Sequence, residues 1–220
     1  MTHDLYFFLR GPMVWIAFAI FAGGMAYRLF GMARLARRKD SVVFDYMSAP
    51  YALRSISRWL IPFAGVNMRQ HPVMTFVAFV FHALLLATPV FLCAHVLLVN
   101  ESWNISWWFL PDRLADIFTL IVIAACGFFL IRRIIVPEVR YLTTVSDFVI
   151  LFLVAVPFVS GFWAYHQWPN YTAALLLHML SGEILLAAIP FTRLSHMFFF
   201  PFTRGYMGSE FGGVRHAKDW

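Results

Sequence analysis

The sequence predicts an all-helical membrane protein, a bundle of five transmembrane helices with its N-terminus outside and its C-terminus in the cytoplasm. Three observations carry this: composition, five long apolar runs, and where the basic residues fall. The 220 residues are 61% hydrophobic and 13% charged, whereas soluble domains average about 45–50% apolar and about 25% charged. A soluble single-core enzyme is therefore excluded as a class. The runs are continuously apolar and do not alternate, so membrane strands are not expected.

The spans are placed at Pro12–Phe30, Val73–Val99, Leu114–Ile131, Ser146–Trp163 and Tyr171–Phe191, each near the ~20 residues that cross a bilayer. Breakers punctuate the gaps: Pro62 and Pro72 before the second, Pro111 before the third, Pro137 before the fourth, Pro169 before the fifth. The first run lacks a basic leader and a small-residue cleavage site, so it reads as a retained helix and not a signal peptide. Tyr6, Phe7 and Phe8 before it, and Trp103, Trp107, Trp108 and Trp168 elsewhere, read as an aromatic belt at the outer interface. No repeat or linker appears, and residues 1–220 are expected to form one domain with a cytoplasmic tail over 192–220.

Orientation comes from Lys and Arg. Of 17 basic residues, only Arg10 and Arg113 fall outside the first connection, the third connection and the tail. The positive-inside rule places those three segments in the cytoplasm. The net charge of +6 is then a topology signal, and nucleic acid is not an expected partner. The Arg-rich first connection reads as a solvated or lipid-headgroup face.

Ionisable side chains at bilayer depth need partners and mark function. His178 and His196 stand eighteen residues apart. That is five helical turns, about 27 Å along one helical stripe, and imidazole is a haem iron ligand. His82 and His95 sit on the second span. Antiparallel neighbours would bring His82 level with His196 and His95 level with His178. Four such residues on two helices point to two haems stacked across the membrane. On an ideal helix His82 and His95 are offset by roughly 140°, a mismatch Pro89 can relieve by kinking. His71 competes, because it lies close to the face of His82. Gly182 shares a face with His178 and would let a flat macrocycle approach. His166 reads as a surface residue. Cys93 and Cys126 are isolated within spans; there is no C-x-x-C-H, so covalent haem attachment is not expected, nor is an iron–sulfur or zinc cluster.

Three stretches resemble a known family. They are Phe81-His82-Ala83-Leu84-Leu85-Leu86, then Arg132-Arg133 through Pro137, Val139 and Arg140 with Thr143, Thr144 and Asp147, and then Pro190-Phe191-Thr192-Arg193-Leu194-Ser195-His196. They are similar to the F-H-x-G-I-L, K-R-R-L-x-x-P-x-V-R-x-x-T-T-x-x-D and P-F-[ST]-R-L-x-H patterns of the di-haem cytochrome b (gamma) subunit of respiratory nitrate reductase and its relatives. The longer interval from His82 to His95, and Pro89 within it, favour the membrane cytochromes b of sulfate-reducer redox complexes (the Dsr, Tmc and Hmc types); Ala115 stands near where nitrate reductase subunits place a lysine beside the quinol site.

The resemblance implies that His82 and His196 hold an inner haem b, and His95 and His178 an outer one. It implies transmembrane electron transfer in the cytoplasmic membrane of a bacterium or archaeon. A menaquinol pool or a periplasmic multihaem cytochrome c would stand at one end and a cytoplasmic iron–sulfur subunit at the other, with further membrane subunits in the complex. Whether the chain itself oxidises quinol is open. Arg113 and Glu183 are the candidates for a quinone site, and menaquinone would then be a further cofactor. The tail from Phe198 to Trp220 mixes aromatic and basic residues, and is expected to become ordered by packing on the iron–sulfur subunit. Two other classes remain: a proton-coupled small transporter, in which the intramembrane His and Glu relay protons, and a haem-free membrane anchor.

Overall fold

The computed structural model describes residues 2–220. It is helical throughout, with no strand among the described residues. Five helices are long and apolar enough to cross a membrane: His3–Lys39, Pro72–Phe91, Asp112–Ile135, Val145–Tyr165 and Tyr171–Phe191. The chain is a multi-pass membrane protein, as its composition requires. Exposed Leu, Ile, Val and Phe side chains cover these helices, as they must where lipid is the solvent.

The elements are α1 (Thr2–Phe8), α2 (Val14–Lys39), α3 (Ala49–Leu60), α4 (Val66–Gln70), α5 (Pro72–Phe91), α6 (Cys93–Trp103), α7 (Asp112–Ile135), α8 (Pro137–Leu142), α9 (Val145–Tyr165), α10 (Tyr171–Ala188) and α11 (His196–Ser209). The first span is longer than its apolar core suggests. A π-helical turn at Leu9–Met13 carries the helix through Pro12 without stopping it.

Two compact units emerge. One comprises the chain up to Gly11 and Val77–Leu185; the other comprises Pro12–Phe76 and Leu186–Trp220.

In the first unit, α7 packs along α9 through small or branched buried residues: Ala115, Val122, Ala125 and Cys126 on α7, Val154 and Phe158 on α9. The connection between them contains the second family-like stretch, and its residues act as structural clasps. Thr144 and Asp147 form a capping box at the start of α9, each satisfying an orphan amide. Arg133 at the end of α7 reaches Asp147 Oδ1 at 3.5 Å and donates to Thr143 Oγ1 at 3.4 Å.

The second span is shorter than the sequence suggests. The helix does not run to Val99 but breaks at Leu92, whose backbone is extended (φ −72°, ψ 129°), and restarts as α6. Pro89, three residues earlier, weakens the last turn because it has no amide to donate. A broken helix leaves its last four carbonyls orphaned, and the final three here each find a donor. Pro89 O takes His95 Nδ1 at 2.7 Å, Val90 O takes the Trp107 indole N–H at 2.9 Å, and Phe91 O takes the Leu110 amide at 2.8 Å. Trp107 is therefore a cap as well as an interfacial aromatic.

In the second unit, the tail corrects an expectation. Residues 198–220 do not wait for a partner subunit to become ordered; α11 and the turn after it pack on α3 of the same chain. The Arg-rich first connection is correspondingly helical. Close approach is made by small residues, since a Cβ at Gly208 would stand 2.5 Å from Ser55 Cβ and 2.7 Å from the Tyr51 carbonyl. Ser55 and Ser209 are fully buried there. Charge and rings close the contact: Arg204 lies 3.9 Å over the Trp59 ring, Arg54 and Arg58 flank Trp220, and Ser55 hydrogen-bonds Asp219. The tail folds because its partner surface is elsewhere in its own sequence.

A second correction concerns the five-turn register of His178 and His196. No single helix joins them. After α10 the chain passes through a 3-10 turn at Ile189–Phe191, an extended Thr192 and a second 3-10 turn at Arg193–Ser195 before α11 begins at His196. Pro190 stands inside the first turn, and its carbonyl accepts from Arg28 Nη1 at 2.8 Å. Arg28 also lies 5.1 Å over the Phe199 ring.

Candidate paired-histidine site

His95 and His178 are brought together in the first unit. Their ring centroids are 5.9 Å apart and their planes are inclined by 18°. His95 stands one turn into α6, held there by the break at Leu92. His178 lies in the first half of α10, and its Nδ1 approaches the carbonyl of Pro157 on α9 at 2.8 Å.

Two features of α9 make that last contact. Pro157 sits inside the helix, and Gly161 is one turn further on. A Cβ at Gly161 would stand 2.7 Å from His178 Nδ1 and 2.8 Å from its Cε1, so only glycine leaves room for the imidazole to reach the carbonyl. Sequence reasoning singled out Gly182 and missed Gly161. Gly182 has nothing within 4 Å of where a Cβ would be, which leaves open space beside it. The available signal was the P-x-x-x-G spacing on α9.

All four histidines singled out in the sequence share one arrangement. Nδ1 of His82 meets Ala78 O at 2.7 Å, and Nδ1 of His196 meets Arg193 O at 2.8 Å, alongside the His95 and His178 bonds above. A carbonyl can only accept, so each Nδ1 donates to its carbonyl, which leaves Nε2 as the nitrogen that a metal would take. That is the tautomer and orientation of metal-ligating histidines. A bis-histidine metal site brings two imidazole nitrogens to one ion, and the His95 and His178 rings are near neighbours, with centroids 5.9 Å apart. Among the described residues no three or more His, Cys, Asp or Glu converge as a metal cluster, and a haem iron takes only two axial ligands from protein.

His82 belongs to the first unit and His196 to the second; both rings are exposed. Phe81, beside His82, is buried edge-on against Phe129 at 5.1 Å, which anchors the turn that carries the histidine. His71 ends α4, and its carbonyl accepts from the Thr75 amide, making it the lead-in to α5. His166 is exposed, as expected; its Nε2 lies 3.2 Å from Asp116 Oδ2, and its ring packs on Phe162 at 4.4 Å. Arg113 is exposed in the first turn of α7. Glu183 is buried in α10, and neither carboxylate oxygen has a hydrogen-bond partner.

Fold and site together define a multi-pass helical membrane protein with paired, backbone-anchored imidazoles. A protein of Nitratidesulfovibrio vulgaris (strain Hildenborough), named only "Protein", is 36% identical over 211 residues, covering 94% of this chain and 93% of its own length. The chain belongs to the same family as that protein. No family model and no solved structure matches.

Proposed function

We propose that the chain is a di-haem cytochrome b that passes single electrons across the membrane. The observation that carries the reading is the His95–His178 pair, with parallel rings 5.9 Å apart and both Nδ1 atoms tied to carbonyls. His95 and His178 would hold one haem, and His82 and His196 the second. The second assignment rests on the sequence pattern and on the same Nδ1 anchoring.

A haem with both axial positions filled by histidine binds no substrate at iron and supplies one-electron redox chemistry. The residues here supply ligation and tuning. The carbonyls of Pro89 and Pro157 fix ring orientation and raise the basicity of each Nε2. The break at Leu92 sets the depth of His95. Gly161 sets the reach of His178. The apolar helices keep water away, which governs potential.

In the cell, the basic connections and tail would face the cytoplasm, and the His95–His178 end would lie towards the outside. The electron partners would be a menaquinol pool or periplasmic multihaem cytochrome c outside and an iron–sulfur subunit inside. Arg113 and His166–Asp116 mark the end of α7 where a quinol would be met.

The test is the visible spectrum of the purified protein, with a pyridine haemochrome assay against protein concentration. The expected result is a dithionite-reduced α-band of bis-histidine haem b and two haems per chain. A colourless protein would leave the transporter and anchor readings.

A further inference from the structure

Glu183 is the group that this reading leaves unused. It is 8% exposed, lies within the fifth span, and both its oxygens lack any hydrogen-bond partner. The titratable group nearest in sequence on its own helix is His178, which the proposal commits to iron as a neutral imidazole. An ionised carboxylate buried without donor or counter-charge is strongly disfavoured. Neither oxygen meets a hydrogen-bond donor among the described residues, so its protonation answers to whatever nearby charge changes.

One such charge exists if His178 holds a haem. His178 is five residues earlier on α10, about 7.5 Å along the helix axis and about 140° round it. A ferric haem with two neutral imidazoles carries one net positive charge, and the ferrous form carries none. In a medium poorer in water than the bulk, a unit charge still acts across such a separation.

We propose that Glu183 is a redox-linked proton site, ionised while the His178 haem is ferric and protonated when it is ferrous. The inference rests on the haem assignment above. In the reduction step one electron from a quinol or reduced cytochrome converts Fe(III) to Fe(II). One proton from the aqueous phase forms an O–H bond on Glu183. Re-oxidation by the electron acceptor breaks that bond and returns the proton to water. The carboxyl thereby lets the electron enter an apolar region without building net charge.

The experiment is a redox titration of the whole protein across pH, in wild type and Glu183→Gln, with haem content measured in parallel. In the wild type one of the two potentials is expected to fall as pH rises. Its slope should approach the one-electron limit of about 59 mV per tenfold change in proton concentration. In the variant that potential should be flat in pH with two haems retained. Redox-induced infrared difference spectra of the wild type should show a protonated carboxyl appearing on reduction. That signal does not depend on whether the variant folds, and Glu183→Asp should keep it if Glu183→Gln loses haem. A pH dependence that survives in Glu183→Gln overturns the proposal, as does a wild type with flat potentials and no carboxyl signal. A haem-free preparation would defeat the cytochrome reading itself; haem with flat potentials defeats only this inference.

Discussion

Gly161 makes the space that His178 occupies: a Cβ on α9 at this position would stand 2.7 Å from the imidazole Nδ1. The same turn supplies the Pro157 carbonyl that anchors that nitrogen at 2.8 Å. One short stretch of α9 therefore provides both the acceptor and the clearance for a side chain on α10.

Gly161→Ala should break this arrangement. The added methyl would push the ring from the carbonyl, at a cost of about 1–3 kcal/mol for overpacking. We expect haem content to fall from two towards one per chain, with the remaining haem spectroscopically unchanged. A variant that keeps both haems with unaltered spectra would show that the ring can tilt without losing ligation.

Ligand replacement should act in pairs. His95→Ala and His178→Ala should each remove the same haem and spare the other, and His82→Ala and His196→Ala should do the reverse. His71→Ala should leave both. Haem stoichiometry and low-temperature spectra of the five variants check the assignment. Loss of a haem in His71→Ala with none lost in His95→Ala would reverse the pairing.

Trp107→Phe tests the cap at the Leu92 break. It keeps a ring and removes the indole donor to Val90 O, a bond of 2.9 Å. Losing one hydrogen bond at an exposed position costs about 0.5–1.5 kcal/mol. The expected outcome is a lower thermal midpoint, read in detergent by loss of the haem Soret band, with both haems still bound at ambient temperature.

Gly208→Val tests the packing of α11 on α3, where a side chain would meet Ser55 and the Tyr51 carbonyl. We expect limited proteolysis to begin within residues 198–220, while the His95–His178 haem is unaffected because its ligands lie in the other unit. Protection of the tail in this variant would show that the Arg54–Trp220 and Arg204–Trp59 stacks hold it alone.

By itself the sequence determined the membrane class, the five spans and the residues worth testing. Hydropathy over about 20 residues is a local property, and lipid leaves the chain no alternative to helices there. The histidines were legible because an ionisable group at that depth is conspicuous in any sequence. Three things were decided only by tertiary structure. The breaks at Leu92 and Thr192 depend on donors far along the chain, Trp107 and Leu110 for one and Arg28 for the other. A helical register drawn through Pro190 therefore did not survive. The P-x-x-x-G spacing on α9 marks Gly161, but that it clears room for His178 depends on which helix lies opposite. The ordering of the tail depends on α3, more than a hundred residues earlier in the chain; read in isolation, 198–220 looked too apolar to be free and too short to fold. A helix ends where orphaned carbonyls find donors and packs where small residues permit, and both conditions are met across the fold.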